Sequence, residues 1–194
     1  MPPLHPRCRC VIMYNEVGKP RALQPKPRGL AAGNIDSVTT EGSPPKLIGK
    51  LENMTPELIQ KTLEYYEKQI VNAPIENAII ITTAGEIYHC TGDLNTLKNI
   101  EDLGENLYGA YVTHNHPVGS DNEYSFSFKD RLLFTSYKLA LLHGIDERFL
   151  YELNRNPADV DDKSLAVVDE TFLAHLININ HAKSFGYGYR RWLR

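Results

Sequence analysis

Cysteine is scarce in this chain of 194 residues: only Cys8, Cys10 and Cys90 occur. Cys8 and Cys10 lie too close together for an easy bridge, and an odd count argues against a disulfide framework, which favours a reducing compartment. No apolar run approaches the roughly 20 residues that span a bilayer. The opening "MPPLHPRCRC" lacks the hydrophobic stretch of a signal peptide, so the expected setting is cytoplasmic, with no membrane partner. Neither sign of charge dominates. A formal net charge of -3 sets the chain apart from proteins built as a whole to bind nucleic acid. No G-x-S-x-G, Walker or dinucleotide-binding fingerprint is present, which removes the sequence grounds for a serine hydrolase or a nucleotide enzyme. There is no internal repeat.

Residues 1–46 are rich in Pro, Gly and basic residues and almost free of apolar periodicity, as in "GKPRALQPKPRGLAAGNIDS". Such a segment buries too little surface to offset its ordering entropy, and it reads as a flexible linker. A folded domain is expected over 47–194. Within it, "TPELIQKTLEYYEKQIVNA" predicts a helix. Thr55 suits the N-cap, Pro56 the first turn and Glu57 the positive end of the dipole, while Ile59, Leu63, Tyr66 and Ile70 form an apolar stripe. The β-branched "ENAIIITTAGEIYHCTG" predicts a hairpin over roughly 77–83 and 86–91, turning at Ala84-Gly85. "LYGAYVTHNH" reads as a strand ending at two histidines. "SFKDRLLFTSYKLALLHG" reads as a helix from about Phe128, with Leu133, Tyr137, Ala140 and Leu141 inward and Gly144 as its stop. "ERFLYELN" is a further strand, "LAVVDETFLAHLININHA" a closing helix, and "KSFGYGYRRWLR" a basic tail. The sum is an α/β (α+β) fold, a small mixed sheet flanked by helices.

The chemistry gathers in "THNHPVGSDNEYSFSFKD", residues 113–130. Residues i and i+2 of a strand face the same way, so His114 and His116 can aim both imidazoles at one point. Zinc accepts imidazole nitrogen and carboxylate oxygen, and a catalytic zinc keeps a fourth position open. Asp130, in the first turn of the next helix, can supply a third ligand. A strand and a helix are the rigid supports that a precise site needs. Each half also has a plain structural explanation. An H-x-H pair alone carries little information, and Ser127 with Asp130 three residues on is close to a capping box.

Together, "HNHP" and "SFKD" resemble the motif of the JAB/MPN (JAMM) zinc metalloproteases: H-x-H-P, then S-x-x-D, with a glutamate on an earlier strand. The form H-N-H-P-x-G is especially similar to RadC-like and phage members, over about residues 50 to 155. The resemblance implies a JAB/MPN-like (cytidine-deaminase-like) mixed sheet and a Zn2+ ion bound by His114, His116 and Asp130. It also implies an oxyanion-stabilising Ser127 and a glutamate base, acting on a peptide or isopeptide bond. Ten residues separate His116 from Ser127, three more than the family pattern. An insertion within "SDNEYSF" explains the difference; if the loop displaces the helix instead, Asp121 and Glu123 are the substitute ligands. Position alone does not choose the base between Glu76 and Glu86, which both flank the hairpin. The family places its glutamate just before an apolar strand, matching "IENAII" at Glu76, whereas a charge at the hairpin turn, as at Glu86, needs no functional explanation.

"PPLHPRCRCVI" resembles the closing segment of phage Mu F-like head-morphogenesis proteins, over about a dozen residues. That likeness implies a phage or prophage protein in a bacterial host, cytoplasmic or virion-associated, with head or tail proteins as partners. The other functional readings are a non-catalytic binding module in a phage structural or DNA-processing assembly, and a toxin or effector domain. His5 with Cys8 and Cys10 has the donors of a zinc knuckle but lies in a tail expected to be disordered. His89 and Cys90, being adjacent on a strand, point to opposite faces. His143 is placed beside a helix C-terminus, where it suits the dipole. His175 and His181 lie on the closing helix with no carboxylate or cysteine at ligand spacing.

Overall fold

The expected hairpin lies at the middle of the molecule and sets the order of everything around it. The computed structural model describes residues 25–32, 35–121, 124–160 and 171–194. Its elements are strands β1 (Leu30–Ala32) and β2 (Lys46–Leu51), helix α1 (Pro56–Ile70), strands β3 (Asn77–Ile81) and β4 (Glu86–Thr91), and a 3-10 segment, Ile100–Leu107. They continue with β5 (Tyr111–Asn115), α2 (Phe128–Ser136), β6 (Leu141–Ile145), β7 (Phe149–Asn154), α3 (Phe172–Phe185) and β8 (Gly188–Leu193). The strands form one eight-stranded mixed sheet in the order β1-β2-β4-β3-β5-β6-β7-β8. The β5–β6 pair is parallel and the others antiparallel.

Helix α1 follows its local signals. The Thr55 side chain accepts a hydrogen bond from the Leu58 N–H, a cap that contributes about 1 kcal/mol. Ile59, Leu63, Tyr66 and Ile70 are all buried, each contributing on the order of 1.5–3 kcal/mol. Alternation in β3 divides the core. Ile79 and Ile81 join the α1 stripe on one face, while Ala78 and Ile80 join Phe134 of α2 and Ile179 and Ala182 of α3 on the other. The hairpin turn closes through a bond from the Gly85 N–H to the Thr82 carbonyl, with Gly85 at φ 79°, a left-handed conformation that glycine adopts without strain.

Four expectations need correction. Residues 25–46, read as linker, include β1, which pairs with β2 and buries Leu30, so folded structure begins before Leu47. The segment 128–144 is not one helix. It ends at Ser136, and "LLHGI" becomes β6, buried between β5 and β7. A short apolar run of that kind reads equally well as helix or strand, and the two ladders decide it. Gly144 is therefore a strand residue, and His143 lies in the sheet rather than at a helix end. The expected basic tail is β8, an edge strand that pairs along β7 and buries Tyr189 and Arg191. The first part of the closing helix, 165–170, lies outside the described residues. Among the described residues no helix is long and apolar enough to cross a membrane.

Candidate metal centre

Strand β5 carries Thr113, His114 and Asn115 into the middle of the sheet with alternating outlooks. Thr113 faces α1, where its hydroxyl donates to Glu67 at 3.0 Å. His114 faces the other side, and His116 follows one residue past the strand, its N–H donating to the Ile145 carbonyl at 2.8 Å. Both imidazoles are buried, and their Nε2 atoms stand 2.8 Å apart. Asp130 presents Oδ1 at 3.1 Å from His114 Nε2 and Oδ2 at 3.6 Å from His116 Nε2. Ligand atoms around a tetrahedral zinc lie roughly 3.4 Å from one another, and one donor atom from each of the three residues lies within 4.8 Å of the others. Two imidazole nitrogens and one carboxylate, converging in a buried place, form a donor set that can hold a metal ion. Burial works to raise the Asp130 carboxyl, but the two histidines outweigh it and hold the group well below the usual carboxylate range. The ionised form is the one that ligates.

The longer loop leaves Asp130 within reach. Its far end is anchored by Phe126, which packs against His114 and Tyr151, and by Ser125, whose hydroxyl meets Tyr189 Oη and accepts from Asn178. The Tyr124 N–H donates to Asp146. Of the substitute ligands, Asp121 is exposed and apart from the cluster, and Glu123 lies outside the described residues. The capping box is also real. The Ser127 hydroxyl and backbone N–H both donate to Asp130 Oδ2 at 2.7 Å, and the Asp130 N–H donates back to Ser127 Oγ at 3.2 Å. Cap and ligand coexist, because Oδ2 serves the helix end while Oδ1 faces His114.

Glu76 and Glu86 are separated by the length of the hairpin. In the antiparallel β3–β5 ladder Ala78 stands opposite His114, so extending the register by two residues brings Glu76 across from His116. Glu86 begins β4 at the turn end and bonds to Tyr88 Oη instead. Glu76 is 4% exposed. Burial pushes its carboxyl up to about 8, with His116 opposing the shift and Asp130 adding to it. A cavity of about 550 Å³ opens here, lined by Glu76, Ser127 and Asp130 together with Leu97, Tyr108 and Tyr137. Glu76, Ser127 and Asp130 border the space, whereas the two buried histidines are not among its lining residues.

Two residues beside the cluster carry no local sequence signal. Asn115, between the histidines, accepts from the Asn77 N–H at 2.7 Å and donates to the Ile75 carbonyl at 3.1 Å, tying β5 to the segment that carries Glu76. Tyr151 lies with its hydroxyl 2.7 Å from His116 Nδ1. Nothing local marks either residue, since both act across strands. Of the remaining histidines, His89 meets Asn77 Oδ1, His175 meets Tyr189 and His181 meets Tyr187. Cys90 is buried, and His5, Cys8 and Cys10 lie outside the described residues. His143 is clasped by Glu67 at 2.8 Å and Glu152 at 3.1 Å on the α1 face.

No protein-family model, curated protein or solved structure matches the chain.

Proposed function

We propose that this chain is a zinc-dependent hydrolase of the JAB/MPN type that cleaves a peptide or isopeptide bond. The observation that carries the reading is the meeting of His114, His116 and Asp130 at one buried point, in spite of the longer loop between them. Zinc held there would polarise a substrate carbonyl and lower the pKa of water to about 7. Glu76 would take the proton from the attacking water and hand it to the leaving amine. Ser127 would offer its hydroxyl to the developing oxyanion. To do so it releases Asp130 Oδ2, which the Ser127 backbone N–H continues to hold.

A non-catalytic binding module could dispense with Glu76 or Asp130. Both are present and buried beside the cavity, which favours the enzyme. The substrate is a peptide or protein, and phage head or tail proteins as partners remain part of this proposal through the resemblance of residues 2–12, which lie outside the described residues. The test is mass spectrometry of peptide and isopeptide libraries exposed to the zinc-loaded chain. The expected result is cleavage that chelation abolishes, zinc restores and Glu76→Gln lacks. Cleavage that persists in the chelated protein or in Glu76→Gln would contradict the proposal.

A further inference from the structure

We infer that Tyr151 is a positioning residue of the metal centre: its hydroxyl fixes the ring of His116 so that Nε2 faces Asp130 and His114. The inference rests on the reading of those three residues as metal ligands.

Tyr151 is fully buried in β7 and is not among the residues that line the cavity. Its ring reaches the site by crossing its neighbour in the sheet. Gly144 of β6 is its paired residue, and a Cβ at position 144 would stand 2.0 Å from Tyr151 Cε2 and 2.6 Å from Cδ2. The missing side chain at Gly144 is the space that the ring occupies. On another side Phe126 packs edge-on, with centroids 4.9 Å apart and planes at 88°. Phenylalanine would fill this core equally well. A buried hydroxyl needs a hydrogen-bond partner, and the one it meets, at 2.7 Å, is the far nitrogen of a candidate ligand.

The nitrogen chemistry gives that contact its meaning. A neutral imidazole that ligates through Nε2 carries its proton on Nδ1, and a partner for that N–H selects both tautomer and ring orientation. Tyr151 Oη would accept it. The other histidine has no such support: His114 Nδ1 is buried without a hydrogen-bond partner among the described residues. His116 is therefore the ligand held from behind.

Tyr151→Phe removes one oxygen and leaves the ring against Gly144 and Phe126. Zinc affinity of the full chain, measured by competition with a chromogenic chelator, should fall about 10- to 100-fold while the metal-free protein melts as before. Unchanged affinity would overturn the inference. If the variant is destabilised, the wild-type chain still decides. Long-range proton–nitrogen NMR of the zinc-loaded protein should show His116 as the Nδ1–H tautomer with a slowly exchanging proton. A fast-exchanging or Nε2-bound proton overturns it. A wild-type chain that takes up no zinc, or a His116→Ala chain that binds it as tightly, would overturn the metal-site reading itself, before Tyr151→Phe is compared.

Discussion

Asn115 and Asn77 join two strands at the edge of the candidate site: the Asn77 backbone N–H donates to Asn115 Oδ1 at 2.7 Å. The same amide reaches the Ile75 carbonyl, so the segment bearing Glu76 is fastened on both sides of that residue. Asn115→Ala should leave a buried donor unsatisfied and lower stability by about 1–3 kcal/mol in urea titration. Hydrolysis should fall further than zinc content does, because Glu76 loses its placement. A variant as stable and active as the parent would make the bridge incidental.

Glu76→Gln keeps the size of the side chain and removes its basicity. It should retain zinc and fold while hydrolysis falls below detection, a loss of at least about 10²- to 10⁴-fold in rate. Glu86→Gln, altered at the turn end of the hairpin, should be nearly silent. Rates of the two variants on one substrate decide between them, and an active Glu76→Gln would overturn the assignment.

Gly144→Ala should destabilise the chain by about 1–3 kcal/mol or more, since the new methyl meets the Tyr151 ring at 2.0 Å. Tyr151→Ala would clear that space, so the double variant should be more stable than the sum of the single effects predicts. Strict additivity in denaturant titrations would count against the close approach.

What was legible in the sequence was local. Thr55, Pro56 and the stripe from Ile59 to Ile70 specify α1 within one segment, and H-x-H on a strand needs only the two-residue alternation to converge. Asp130 was legible because its cap and its spacing point to the same helix turn. β6 was not, because "LLHGI" has no period that separates helix from strand and takes its form from neighbours distant in sequence. β8 was hidden by its arginines, which an edge strand tolerates. Tyr151 and Asn115 were missed for a related reason. Their roles arise from which residue faces which across a ladder, and a single chain does not display that register.

The buried His143 supplies a pH prediction apart from the metal site. Burial alone would lower its pKa, but Glu152 and Glu67 outweigh burial and hold the imidazole up at about 9. Its pairing therefore stabilises the fold fully below the unfolded value near 6.5 and fades as pH rises through about 9. Glu152 is held down at about 2 by His143, Asn154 and Arg190 against the opposing effect of its own burial. Its share is present above about 4.5 and lost as pH falls toward 2. Denaturant titrations of chelator-treated protein should show stability declining at both ends. His143→Ala, which leaves two buried carboxylates, should lower it by about 3–5 kcal/mol at pH 6. A flat profile from pH 6 to 9 would contradict this account of the network.

Elemental analysis of protein purified without chelator reads out whether His114, His116 and Asp130 hold a metal. Zinc, iron and manganese should be counted together, since two histidines and a carboxylate can also serve iron. The wild-type chain should carry about one zinc, lost from both His114→Ala and Asp130→Ala. Sub-stoichiometric metal that His114→Ala leaves unchanged would contradict it.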